Sequence, residues 1–121
     1  MSKIHSKKTK FEILFINKLK IATDVDFKTN VKVISGKPDI VFTKNKLCIF
    51  LDSDFWHGWQ YPRWRHLLKN DFWRKKIENN RKRDKKITRL LKKSDWNVLR
   101  LWEHEINQDP ISVIKKVKKS L

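Results

Sequence analysis

An α/β fold is predicted for this chain, and three features predict it. Two short, almost continuously apolar runs stand close together, Asp39-Ile40-Val41-Phe42-Thr43 and Leu47-Cys48-Ile49-Phe50-Leu51, as strands buried on both faces require. A stretch from Asp71 to about Ser94 contains neither Gly nor Pro and has helical periodicity, and Asn97 to Trp102 then alternates as a further strand. The 121 residues, 39% of them hydrophobic, suffice for one core and make a single domain the expectation. Six Trp and seven Phe argue against a disordered chain, because tracts that stay unfolded are poor in aromatics.

In chain order, residues 1–8 read as a flexible basic arm able to touch phosphate, and the folded domain is expected over residues 9–121. Phe11, Leu14, Phe15 and Leu19, with Ile13 and Ile16, predict an amphipathic helix from about Lys8 to Ile21, opened by Thr9 with Glu12 three residues on. Val25 to Ile34 is short and β-branched, an edge-strand pattern, and Ser35-Gly36-Lys37-Pro38 marks a turn. The two apolar runs then form a hairpin. After the long helix and the alternating strand, Asp109-Pro110 starts a last helix whose apolar side is Ile111, Ile114, Val117 and Leu121. The predicted order is α, β, β, β, α, β, α.

Charge points to the partner. Thirty Lys and Arg against 13 Asp and Glu leave a net charge of +17, a self-repulsion that a polyanion relieves. Nucleic acid is the first candidate; the alternative is a solvated lysine-rich surface. No apolar run approaches the ~18 residues that span a bilayer, and basic residues lie among aromatics in Trp56 to His66 instead of beside a broad apolar face. A membrane partner is not expected. The single Cys48 excludes a disulfide framework and a thiolate-rich zinc site, and it suits a reducing cytoplasm.

Acidic residues gather where this chemistry needs them. From Leu47 to Pro62 the chain holds no Lys or Arg, and Asp39, Asp52, Asp54 and His57 fall at or just past the ends of the hairpin. A two-residue turn at Asn45-Lys46 would set Asp39 opposite Asp52 with Cβ atoms ~5 Å apart. A three-residue turn would set Asp39 opposite Leu51, turn Asp52 to the other face and offer the Leu51 carbonyl as a ligand. Two carboxylates facing each other repel, which a bound cation or a lysine or arginine cap relieves, and an open, oxygen-rich site suits Mg²⁺. With His57 nearby to move a proton, this is the logic of phosphodiester hydrolysis. On the long helix, the apolar stripe of Trp73, Ile77, Ile87, Leu90 and Leu91 is interrupted at Asn80, Arg81 and Asp84. Either the middle of the helix emerges from the core, or Asn80 and Asp84 face the metal cleft or the nucleic acid. Trp96 and Trp102 read as core or scaffold and Trp56 and Trp73 as bases' stacking partners, while Trp59 and Trp64 fit either role.

Four segments carry a resemblance: Gly36-Lys37-Pro38-Asp39-Ile40-Val41-Phe42; Cys48 to Gly58 with its Phe55-Trp56-His57; Phe72 to Asp84; and Trp96 to Glu103. Together they resemble the very-short-patch repair (Vsr) endonucleases, a branch of the PD-(D/E)xK restriction-endonuclease-like nucleases, over about Thr9 to Glu105. The resemblance implies a single-domain restriction-endonuclease-like α/β/α fold with a central mixed β-sheet, nicking double-stranded DNA next to a T:G mismatch with Mg²⁺. It implies metal contacts at Asp39 and at the Leu51 carbonyl; Asp52 stands where the best-known members have histidine, and an aspartate there is expected to bind metal more directly. Catalytic roles fall on Asp39, Asp52, His57 and Glu12. Phe55, Trp56 and Trp73 correspond to aromatics that stack into the duplex, and Lys76 and Asn80 to polar residues that read the groove. Two departures matter. The structural zinc of the family is not expected, because its positions read Asp54, Trp59, Tyr61 and His104, and Asp54 stands where restriction nucleases carry a lysine. A monomer is favoured. The alternatives are a restriction, homing or recombination-type nuclease acting on matched DNA, or a non-catalytic DNA-binding module of the same fold.

Overall fold

The computed structural model describes residues 10–121; the arm at residues 1–8, and Thr9 of the capping pattern, lie outside them. Its sheet has the order β1 (Lys28–Thr29), β2 (Ile40–Phe42), β3 (Leu47–Asp52), β4 (Asn97–Trp102). β1 to β3 pair antiparallel, and β3 and β4 pair parallel from Leu47↔Asn97 to Asp52↔Trp102. The sheet is therefore mixed, as expected. A parallel pair needs a long crossover, and here it contains α2 (Tyr61–Trp64), a 3₁₀ turn (Arg65–Leu67) and α3 (Asp71–Lys93). Helices α1 (Lys10–Ala22), α4 (Glu103–Gln108) and α5 (Pro110–Lys119) complete the order.

Alternation along the strands divides the core in two. Ile40, Phe42, Leu47, Ile49, Leu51 and Leu101 pack with Phe11, Phe15, Ile16 and Leu19 of α1, Ile106 of α4, and Val113 and Val117 of α5. The opposite face carries Val41, Cys48 and Phe50 under Leu91 and Ile87 of α3. This is an α/β/α sandwich with one thick apolar layer and one thin one. Burying each large side chain of the thick layer contributes ~1.5–3 kcal/mol. The thin layer leaves room between α3 and the carboxyl ends of β3 and β4, where open α/β sheets place their ligands.

Several elements differ from expectation. The strand expected over Val25 to Ile34 shrinks to two residues, because Asn30 turns to a left-handed φ of 54°. Val31 and Ile34 instead pack against the thin core from a turn. The helices α2 and α4 were not predicted; at four and six residues they are too short for periodicity to show. The hairpin adopts neither expected register. Its last pair is Phe42↔Leu47, closed over Thr43 to Lys46, with the Lys46 N–H bonded to the Thr43 carbonyl (3.2 Å) and Lys46 left-handed at φ 50°. Ile40 thereby pairs with Ile49, and Asp39 donates its own N–H to the Ile49 carbonyl (3.1 Å). The long helix and the last helix start as predicted: Asn70 caps α3 by accepting from the Phe72 N–H (2.8 Å), and Asp109 caps α5 by accepting from the Ser112 N–H (3.1 Å).

Candidate active site

Where the β2–β3 ladder ends, a side chain takes over. The carboxylate of Asp39 accepts the Leu51 N–H at 2.7 Å, so Asp39 and Leu51 do meet, through the amide of Leu51 and not by facing one another across the ladder. N–H and C=O of one strand residue leave on the same edge, which directs the Leu51 carbonyl to the Asp39 side as well. Two residues along the face shared with Cys48 and Phe50, Asp52 is buried at 2% exposure. Gly36 brings the preceding turn under α3: its φ is +83°, and a Cβ there would lie 2.5 Å from Ile87 Cγ2.

The loop after β3 carries His57 to α3. Gly58 permits this approach, with φ +69° and a virtual Cβ only 2.7 Å from Arg81 Cδ and 3.0 Å from Ile77 Cγ2. His57 Nδ1 lies 2.6 Å from Asp84 Oδ2 and 3.7 Å from Asp52 Oδ1. The polar middle of the long helix thus faces the cleft: Asp84 holds His57, and Asn80 donates from Nδ2 to the Trp56 carbonyl at 3.1 Å while accepting from Arg83 (2.9 Å). Arg100 of β4 completes the group, its Nη1 3.1 and 3.2 Å from the two Asp52 oxygens. Glu12, Asp39, Leu51, Asp52, His57 and Asp84 all line one cavity of about 570 Å³. The expected catalytic and metal-binding residues are therefore brought together.

Electrostatics follow from this crowding. Burial, aided by the charges of Glu12 and Asp52, pushes the Asp39 carboxyl up to about 6 against the lowering effect of the Leu51 N–H. Asp52 is likewise raised by burial, with His57 and Arg100 opposing. For His57, burial lowers the pKa, but the hydrogen bond to Asp84 and the charges of Asp52 and Asp84 outweigh it, and the net direction is up. Oxygen donors short of positive charge fit a hard divalent cation at Asp39 and the Leu51 carbonyl. Asp52, His57 and Asp84, with ligand atoms within 4.8 Å of one another, form an adjoining acidic group able to hold a metal ion.

The four residues at the zinc positions make side-chain contacts of their own. His104 Nδ1 bonds Asp54 Oδ1 (2.8 Å), the Trp59 ring lies against His104 with centroids 4.1 Å apart, and the buried Tyr61 donates to Glu78 (2.8 Å). Trp59 offers no ligand atom, the Tyr61 hydroxyl is taken up by Glu78, and Asp54 and His104 bond each other, so the donor set does not fit the closed zinc site. Protein prepared in metal-free buffer is expected to show no stoichiometric zinc by elemental analysis and to melt unchanged after chelation.

Beside the cavity stands an aromatic ridge. Phe55 meets Trp56 (4.9 Å between centroids) and Trp64 (5.6 Å, stacked), Trp56 meets Trp73 (5.4 Å), and Trp73 meets Phe72 (5.1 Å). Phe55, Phe72 and Trp73 are exposed, and Lys76 Nζ lies over the Trp56 and Phe72 rings. Trp64 belongs to this ridge and Trp59 to the His104 bridge. Trp96 packs on the thin core, and Trp102 lines a second cavity behind Asp52. Arg100 was missed by the sequence reading, although it shares a strand face with Val98 and Trp102, where a charge needs a partner.

Carboxylates around a cleft rimmed by cations and aromatic rings are the equipment for cutting the phosphodiester backbone of a nucleic acid, and the class so defined is the DNA endonucleases. The profile of the family described as DNA mismatch endonuclease Vsr matches residues 1–63. The chain belongs to this Vsr family. It is 33% identical over 118 residues to the type II nicking enzyme V.HpaIIP of Haemophilus parainfluenzae, covering 96% of this chain and 83% of that protein. Against the type II nicking enzyme V.NmeDIP of Neisseria meningitidis serogroup C it is 36% identical over 118 residues, covering 96% and 79%. Against DNA mismatch endonuclease Vsr of Escherichia coli strain K12 the identity is 30% over 82 residues, covering 64% and 50%. No helix among the described residues is long and apolar enough to cross a membrane.

Proposed function

We propose that this endonuclease nicks one strand of duplex DNA at or beside a T:G mismatch, with Mg²⁺ as its cofactor. The observation that carries the reading is the adjacency of two sites: a cavity holding Asp39, His57 and Asp84, and an aromatic ridge, exposed at Phe55, Phe72 and Trp73, that includes the half-buried Trp56, the chain neighbour of His57. Asp39 and the Leu51 carbonyl would hold the cation, with Asp52 and Glu12 adding negative charge around it. A bound Mg²⁺ supplies neutralisation of the charge that develops on the phosphate. His57 takes the proton from the attacking water. Because Asp84 accepts from Nδ1, the neutral ring presents Nε2 as the proton acceptor, and Asp84 fixes that tautomer. Lys76 and Asn80 meet the groove, Asn80 also holding the Phe55-Trp56-His57 segment through the Trp56 carbonyl.

The ridge supplies a physical route to mismatch preference. Opening a base step costs a few kcal/mol, least where pairing is already imperfect, and stacking on an aromatic ring returns ~1–3 kcal/mol per base. Trp56→Ala and Trp73→Ala are therefore expected to weaken binding of T:G duplexes by roughly 5- to 150-fold each while melting near the wild-type temperature. If either variant loses stability and no discrimination, that ring is scaffold. Nicking assays on labelled duplexes, matched and T:G-mismatched, with and without Mg²⁺, test the reading directly: equal cutting of matched DNA would replace mismatch repair by a restriction or homing role, and no cutting would leave a binding module.

Charge makes a separate prediction. With a net +17 and α3 rich in Lys and Arg, DNA affinity is expected to fall with salt at a log–log slope of about −4 to −7, corresponding to roughly five to eight neutralised phosphates. A flat dependence in a fluorescence-anisotropy titration would mean that the lysines are only a solvated surface.

A further inference from the structure

We propose that the second cavity, behind Asp52, is a subsite for one unpaired nucleotide of a DNA strand, its base against the Trp59 and Trp102 rings and its phosphate at Lys85 and Arg89. The inference rests on the DNA-cutting reading above and adds a place for a nucleotide that has left the duplex.

The two cavities share a wall, since Asp52, His57, Asp84 and Arg100 line both. Their charges differ in sign. On the Asp39 side four carboxylates stand against three cations, Lys37, Arg83 and Arg100. On the far side only the two wall carboxylates stand against four cations, Arg81, Lys85, Arg89 and Arg100. One compartment suits a cation and the other an anion. Arg100 sharpens the contrast, because its Nη1 lies 3.1 and 3.2 Å from the Asp52 oxygens and 3.7 Å from Asp84 Oδ1. The wall carboxylates are thus already paired, and their repulsion of an anion in the second cavity is offset.

Lys85 and Arg89 are not spent in this way. With Arg81 they recur every four residues on one face of α3, about 6 Å per step at a rise of 1.5 Å per residue. Arg81 is packed, its stem over Gly58 and its guanidinium 5.4 Å from the Tyr61 ring. Lys85 and Arg89 are exposed and form no ion pair among the described residues. The loop after β3 and β4 give the cavity its apolar lining, Gly58 and Trp59 from the one and Trp102 from the other. Trp59 is 36% exposed and held by the His104 ring, with centroids 4.1 Å apart, and Trp102 is half-buried. A cavity of about 540 Å³ with apolar walls and a few convergent charges has the form of a small-ligand site. Aromatic faces beside cations are the means by which proteins hold unpaired nucleotides. Trp59 follows Trp56 by three residues, so the cavity begins next to the ridge that would part a base step.

The test measures binding of the whole protein, without divalent metal, by fluorescence anisotropy to three duplexes that differ at one position. One is fully paired, one carries a single extra adenine nucleotide, and one carries an abasic tetrahydrofuran unit in place of that nucleotide, which keeps the kink and the phosphate and lacks the base. Wild type is expected to bind the adenine bulge roughly 5- to 150-fold tighter than the abasic one, the range for one stacked base. Trp59→Ala should erase that difference, whereas Trp56→Ala, on the ridge, should weaken both bulges alike and keep it. Lys85→Gln combined with Arg89→Gln should weaken binding of the adenine bulge several-fold more than binding of paired DNA. Equal binding of the two bulges by wild type, a difference that survives in Trp59→Ala, or an equal loss on paired and bulged DNA in the double variant overturns the proposal. Trp59→Leu replaces Trp59→Ala should the latter not fold, and if neither folds the wild-type comparison and the double variant decide. Deoxyadenosine monophosphate alone is expected to quench tryptophan fluorescence only at millimolar concentration; saturation at micromolar concentration would make the cavity a free-nucleotide site and overturn its assignment to a strand. No binding to any duplex would overturn the DNA-cutting reading itself, so the two failures are distinguishable.

Discussion

Asp39→Asn is expected to lower nicking on the order of 10³-fold while DNA binding stays within about twofold of wild type and the protein becomes more stable. Activity falls because the amide removes the negative charge that would hold a cation where charge neutralisation is worth several kcal/mol. Binding persists because the basic surface and aromatic ridge are untouched, and one less negative charge faces the phosphates. The stability gain follows from the raised pKa. Asp39 titrates at about 6 in the folded protein against an ordinary 3.8, so the folded state is favoured below about 4 and loses that advantage as pH rises through 6. At neutral pH the ionised carboxylate costs about 2–3 kcal/mol, at ~1.4 kcal/mol per unit. Asparagine avoids the cost and still accepts the Leu51 N–H. Chemical denaturation of both proteins at pH 4 and pH 7.5 checks this: the gain should be present at the higher pH and vanish at the lower. A variant that nicks at the wild-type rate would remove Asp39 from the mechanism.

Why Asp39 was legible in the sequence, and Arg100 was not, comes down to contrast against background. Asp52, Asp54 and His57 stand out inside Leu47 to Pro62, a stretch without Lys or Arg in a chain of net charge +17, and the hairpin brings Asp39 to the same end, so that these residues need a local reason to be there. One arginine more among thirty basic residues carries no such signal, and only its parity with Val98 and Trp102 along β4 marks it as inward. The strands themselves were legible because burial on both faces demands continuous apolarity. The register was not. It is set by Lys46 in a left-handed conformation at φ 50°, which glycine or asparagine would have announced and lysine does not. Asn30, left-handed at φ 54°, ends the first strand, and there the residue type does carry the signal. The polar break in the long helix pointed to the site, since Asp84 is one of the residues that interrupt the stripe, but its partner His57 comes from a loop whose path depends on Gly58 lying against Arg81 and Ile77.

His57→Ala is expected to slow nicking by roughly 10²- to 10⁴-fold, the range for loss of a positioned general base, with little change in DNA affinity. The pH dependence separates His57 from Asp39. Both must be deprotonated to act, one to take a proton and the other to hold a cation, so the wild-type rate should fall on the acid side with contributions from two groups. Burial lowers the His57 pKa, and the Asp84 hydrogen bond leads the effects that raise it. Asp84→Asn removes that bond's charge, so the His57 limb should move to lower pH as its maximum rate drops, a weaker base being formed and its tautomer no longer fixed. Asp39 owes its shift to burial, Glu12 and Asp52, so its limb should stay where it is. Single-turnover rates of wild type, His57→Ala and Asp84→Asn between pH 5 and 9 decide the assignment. If the acid limb of Asp84→Asn coincides with that of wild type, the proton is taken by another group and the Asp84–His57 pair only anchors the loop against α3.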